Sequence, residues 1–220
     1  MRQTALLLLI FLVSSCTKTV TEFTVKTKFT GKERVVVLAP EVSEKIKDKY
    51  VVEALSGSIT ANLGKRGFSY MIFWKDLPPV YGNFFPRLYS ASRSIFKKDT
   101  NNIEKSVDGE THKDEFVTNL DLLGKRASEV LEKKGFAGWS PRYFLVSGII
   151  HTGNTFSGSL KLHVYGVMID RVSRNVVWGY SFDTRSGNNS DRLTHTAIEA
   201  GKVLANELLT WMNKSTSSKK

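Results

Sequence analysis

Between Arg142 and Arg185 the apolar residues recur with the period of β-structure. Tyr143, Phe144, Leu145, Val146, Ile149 and Ile150 form a nearly continuous run, the pattern of a central strand covered on both faces. From Ser159 to Asp170, Leu160, Leu162, Val164 and Met168 point one way and Lys161, His163 and Tyr165 the other. In the third run Val176, Trp178, Tyr180 and Phe182 share a face, against Val177, Gly179, Ser181 and Asp183. Gly153-Asn154 and Ser157-Gly158 break the first connection and Asp170 to Asn175 the second, so the pattern predicts a three-stranded meander.

Upstream, Glu33 to Ala39 is a β-branched run stopped by Pro40, a buried strand ending in a loop. From Ser43 to Arg66 the period becomes helical: Ile46, Tyr50, Ala54, Ile59 and Leu63 lie near one face, Ser43 is placed to cap, and Lys65-Arg66-Gly67 is a stop. Phe68 to Trp74 reads as a second strand. A helix follows over about His112 to Lys134, with Phe116, Leu120, Leu123, Ala127 and Val130 as its stripe, ended by Lys133-Lys134-Gly135-Phe136. The last helix starts at Ser190 and buries Leu193, Ala197, Gly201, Leu204, Leu208 and Trp211. The predicted order is β-α-β-α-β-β-β-α: an α/β fold with a five-stranded mixed sheet covered by three helices. A helical crossover between the first two strands makes them parallel, and the meander adds antiparallel pairs.

Two stretches fall outside this pattern. Residues 75–109 form an insertion crowded with aromatics, and Asn101 to Gly109 within it reads as polar and mobile. Tyr81, Phe84, Phe85, Arg87, Tyr89 and Arg93 either pack over the core or form a contact surface for a partner or a membrane, where amphipathic aromatics concentrate. Residues 16–33, rich in Thr and Lys, read as a tether or a short edge strand, the tether being favoured beside an anchor.

That anchor is the second clear feature. Arg2 supplies a positive n-region, Ala5 to Val13 an apolar segment too short to span a bilayer, and Ser14-Ser15 the small residues of a cleavage site. Val13-Ser14-Ser15-Cys16 resembles the lipobox of bacterial lipoproteins. The resemblance implies that residues 1–15 are removed and that Cys16 is lipidated, with palmitate among its acyl chains. Thr17 in place of the Asp of inner-membrane retention implies the outer membrane. Cys16 is the single cysteine, so no internal disulfide forms. The remaining layout is one domain over 34–214 and a polar tail over 215–220.

Composition adds little to this picture except charge. The net charge of the 220-residue chain is +11, and +10 without residues 1–15, which points to anionic neighbours such as phospholipid headgroups, lipopolysaccharide, peptidoglycan or an acidic protein. Export argues against nucleic acid, and no aromatic-basic recognition motif occurs. Lys45, Lys47, Lys49, Arg87, Arg93, Lys97 and Lys98 are candidate contacts or solvated charge. His112, His151, His163 and His195 lie far apart without ligand spacing, so neither a metal nor a cofactor is expected. No phosphate-binding loop or nucleophile elbow is present, and Asp170 and Asp183 form a carboxylate pair only if the fold joins them.

The strand Val35 to Pro40, Gly67-Phe68, the run Phe144 to Ile150 and the pair Met168-Ile169-Asp170 and Val176-Val177-Trp178 together resemble the TolB N-terminal α/β domain. That fold is shared with the penicillin-binding-protein activator lipoproteins (LpoB) and the curli secretion-channel family. The resemblance spans about residues 34–212 and implies a non-catalytic lipoprotein that binds or activates a cell-wall enzyme or another envelope protein. The alternative it implies is a homo-oligomeric subunit of a secretion or envelope assembly. A hydrolase would instead show turnover abolished by a point mutation.

Overall fold

The computed structural model describes residues 20–24, 34–46, 48, 50–65, 71–73, 84–97, 100–107, 112–136, 138 and 140–217. Seven strands form one mixed sheet: β1 (Val20–Thr24), β2 (Val35–Val37), β3 (Glu41–Val42), β4 (Met71–Phe73), β5 (Tyr143–Asn154), β6 (Leu160–Asp170) and β7 (Asn175–Ser186). The helices are α1 (Tyr50–Lys65), α2 (Phe84–Ser94), α3 (Lys113–Lys133) and α4 (Ser190–Ser217), with a 3-10 turn at Glu104–Ser106.

The sheet order is β1-β7-β6-β5-β2-β4, with β3 also on β5. The predicted meander is there as its centre, β5–β6 and β6–β7 being antiparallel. The predicted parallel pair is also found: β2 lies parallel to β4, and to β5 on its other side. The fold class is therefore the α/β, mixed-sheet one read from the pattern, with two strands and one helix more than expected among the described residues.

Each addition has a local cause. β1 lies in the stretch favoured as tether. It closes the open edge of β7 antiparallel, setting Val20 opposite Phe182 and Thr24 opposite Trp178, and unpaired edges invite such pairing. β3 displaces the expected helix start. After Pro40 the chain returns to extended geometry beside Gly148 and Ile149, and the Ser43 amide donates to the Ile149 carbonyl at 3.2 Å. Ser43 is therefore not the cap. The helix begins at Tyr50, whose amide is taken by the Asp48 side chain at 2.9 Å.

α2 replaces irregular structure inside the 75–109 insertion. Of the stretch Asn101 to Gly109, expected to be mobile, 108–109 lie outside the described residues and the rest is not a free loop: Ile103 and Val107 are buried, and the Val176 amide donates to the Asn101 carbonyl at 2.7 Å. α3 ends as its sequence announces, with Gly135 at φ 85° and the Phe136 amide on the Leu131 carbonyl at 2.9 Å, the Schellman arrangement.

The sheet separates two apolar layers. On one face Tyr143, Leu145, Leu162, Val164, Met168, Trp178, Tyr180 and Phe182 meet α1 and α4. On the other, Phe144, Val146, Tyr165, Val167, Ile169 and Val176 meet α2, α3 and the 3-10 turn. Val176 thus leaves the face predicted for it. Met168 pairs with Trp178 but Ile169 pairs with Val176, so Val177 is an extra residue, and this bulge reverses the alternation beyond it.

Candidate functional site

Of the six insertion residues singled out by sequence, Tyr81 lies outside the described residues, as does Cys16. The structure brings the other five onto α2, where most of them hold the helix down. Phe84 is buried, with its ring 5.5 Å from that of Phe116. Phe85 and Tyr89 are half-buried, their rings 5.9 Å apart, and the Tyr89 hydroxyl donates to the Ala39 carbonyl at 2.7 Å. Arg87 pairs with Glu115 and Arg93 with Glu41. Burial, and next the Glu41 carboxylate, push the Tyr89 hydroxyl far above the ordinary tyrosine range. This is the geometry of aromatics packing over a core.

Glu41 is the residue that the sequence reading missed. One oxygen receives Arg93 and the other the Tyr165 hydroxyl at 2.7 Å, so it joins β3, α2 and β6. Tyr165 lies over Gly148, where any Cβ would collide with its ring. Burial raises its pKa well above the usual value, with Glu41 adding to the effect.

Among the described residues a concave surface lies elsewhere, at the end of the sheet where the β5–β6 hairpin, the β7–α4 connection and the start of α1 converge. Three adjoining open clefts occupy it, of 580, 470 and 630 Å³. Lys45, Asp48, Tyr50, Leu160 and Ser190 line the first. Arg185, Asp191, Arg192 and His195 line the second, and Tyr50, Ser190 and His195 recur in the third. Asp48 ties the helix starts together, accepting from Ser190 at 2.7 Å and Thr194 at 3.3 Å as well as from the Tyr50 amide. The Ser190 bond, more than the others, holds its carboxyl below the usual range. Asn189 caps α4, its side-chain oxygen 2.9 Å from the Arg192 amide.

Asp170 and Asp183 are not joined. They sit at opposite ends of the meander, Asp170 accepting Arg142 at 2.9 and 3.1 Å and Asp183 pairing with His163 across the strands at 2.8 Å. His151 bonds Asn154 at 2.8 Å. Among the described residues no group of three His, Cys, Asp or Glu could hold a metal ion, and no helix is long and apolar enough to cross a membrane.

The other missed feature is Phe156, 114 % exposed at the hairpin tip. An aromatic set among Thr155, Ser157 and Gly158, in a turn that buries nothing, was the available signal.

No family profile matches the chain, and no curated protein does. Among solved structures it is similar to the PelC dodecamer from Paraburkholderia phytofirmans, at 13% identity over 86% of this chain and 95% of that one, with a TM-score of 0.45. It is also similar to lipoprotein GNA1162 from Neisseria meningitidis, at 14% identity over 85% and 99%, with a TM-score of 0.31. A third is protein XCC0632 from Xanthomonas campestris, at 9% identity over 84% and 86%, with a TM-score of 0.31. At these values the likeness assigns neither family nor function.

Proposed function

We propose that the chain is a lipid-anchored, non-catalytic interaction protein of the bacterial envelope. It sits in the outer membrane facing the periplasm and binds or activates an envelope protein or cell-wall enzyme near that membrane. The observation that supports this reading is the place of β1. Its first residue, Val20, follows the lipobox-like Cys16 by four positions and is already paired to the sheet. Four extended residues reach at most about 14 Å. An acylated Cys16 therefore holds the domain against the lipid surface, and the partner has to come to the membrane. The TolB-like and LpoB-like resemblance belongs to this reading as its source of partner class.

The test is metabolic labelling with a palmitate analogue, followed by crosslinking in intact cells, with Cys16→Ala as control. Label on the native chain but not on the variant, and capture of one envelope enzyme that is weakened in the variant, is the expected result. An unlabelled chain overturns the anchor. A ladder of self-crosslinks replaces the adaptor with a subunit of a multimeric assembly.

A further inference from the structure

Strand register fixes which end of the domain an anchor would reach. β1 enters the sheet at Val20, opposite Phe182, and runs away from Ser186 toward Trp178. Ser186 lies opposite Leu160, and Leu160 opposite Asn154, so the base of the β5–β6 hairpin is at the end from which β1 arrives. The two lengths agree. Cys16 precedes Val20 by four residues, about 14 Å when extended, and β7 continues four residues past Phe182 to Ser186, about 13 Å. An acylated Cys16 is therefore within reach of the hairpin base, and the residues at the tip stand beyond that base.

What stands there is Phe156. It is exposed to 114 %, and the loop holds it outward by its own bonds. The Thr155 amide donates to the Ser159 carbonyl at 2.7 Å, the Ser159 amide to the Thr155 hydroxyl at 3.0 Å, and the Gly158 amide to the Thr155 carbonyl at 3.0 Å. Gly158 takes the positive φ of 79° that closes the turn. A single exposed apolar side chain is ordinary in itself; on an ordered tip at the end an anchor can reach, this one is free to enter an apolar phase outside the chain.

The polar surroundings fit a headgroup layer. Lys161 and Arg185 are both exposed and directly opposite each other across β6 and β7. Like charges in that position repel unless an anion lies between them. Arg192 and His195 line the adjoining cleft with Arg185, Asp191 being the carboxylate among them. Tyr50, 53 % exposed, and Leu160 line the neighbouring cleft. Aromatic rings with a polar tip suit the boundary between headgroups and acyl chains.

We infer that this end of the sheet faces the leaflet carrying the anchor, with Phe156 entering the headgroup–acyl boundary and Lys161 and Arg185 sharing lipid phosphates. The inference rests on the reading of Cys16 as lipidated.

Because Cys16 is the single cysteine, a second one can be labelled alone once the first is acylated. Phe156→Cys and Ser157→Cys place a nitroxide at the tip. Val172→Cys places one on the β6–β7 turn at the opposite end, where Val172 is 73 % exposed. The full lipidated chains are bound to vesicles of phosphatidylethanolamine and phosphatidylglycerol, and each label's collisions with oxygen and with a water-soluble nickel chelate are read by power saturation. The expected result is a shift toward oxygen at 156 and 157 and aqueous behaviour at 172. Labels at 156 and 157 as aqueous as that at 172, on a chain that floats with the vesicles, overturn the orientation and leave the anchor standing. Labels immobilised yet aqueous point to a protein on the tip and overturn it too. A chain that does not float overturns the anchor and the orientation together.

Discussion

The two faces of the sheet are covered in different ways. One carries a pair of long helices, α1 and α4, in contact close to the backbone. At Gly201 a Cβ would lie 2.8 Å from the Leu55 carbonyl oxygen and 2.7 Å from Ser58 Cβ, and the Ser58 hydroxyl donates to the Ile198 carbonyl at 2.6 Å. The other face carries α2, α3 and the 3-10 turn, fastened by charged and phenolic groups: Tyr165 and Arg93 on Glu41, Arg87 on Glu115, Arg174 on Glu104 at 3.2 Å, and Arg171 on Ser140 at 3.1 Å. Close packing of backbone tolerates no added atom. A layer fastened by long side chains can adjust when one of them moves.

Three substitutions sharpen that contrast. Gly201→Leu forces α4 off α1 and should cost about 3 kcal/mol, read as a lowered urea midpoint at constant m-value. An unchanged midpoint would show that the helix pair is as adaptable as the other face.

Tyr165→Phe removes a hydrogen bond to a charged acceptor and should cost roughly 1.5–3 kcal/mol near neutral pH. The pH dependence has a definite sign. The folded hydroxyl ionises well above the ordinary tyrosine value, so its contribution is complete below about pH 10 and is lost as pH rises through the folded value. The alkaline fall in stability should be shallower in the variant, and parallel curves would remove Tyr165 from the account.

Gly124→Ala is the matched case on the adaptable face. There the new Cβ meets the arm of Arg171, with Cδ at 2.7 Å, and not backbone. With the gain in helix propensity offsetting the shift of that arm, the change should stay within about 1 kcal/mol.

The same contrast separates what could be read in advance from what could not. α4 and α3 bury regular stripes such as Leu193, Ala197, Leu204 and Phe116, Leu120, Leu123, and the meander alternates, so periodicity alone locates them. α2 was hidden because its residues are aromatic, basic and interrupted by Pro86 near its start, and its stability comes from Glu41 and Phe116, distant in sequence. β1 and β3 carry too few apolar positions to show a period and exist because a neighbouring strand offers them hydrogen bonds. The bulge at Val177 leaves no trace in the alternation until the partner strand is known. In the candidate site Lys45 is the one cation that the sequence singles out; Tyr50, expected on the apolar face of its helix, stands 53 % exposed, and the meeting of Asp48 with Ser190, 142 positions apart, is a product of tertiary structure.

The antiparallel β1–β7 pair also has a mechanical meaning. A pull applied ahead of Val20, in the direction from which the chain enters, runs along the axis of β1. It loads the five residue pairs from Val20–Phe182 to Thr24–Trp178 in shear, all at once. A pull across the sheet would instead open them one after another, from one end. The first strand is thus oriented as a load-bearing clasp between whatever holds the N-terminal segment and the body of the domain.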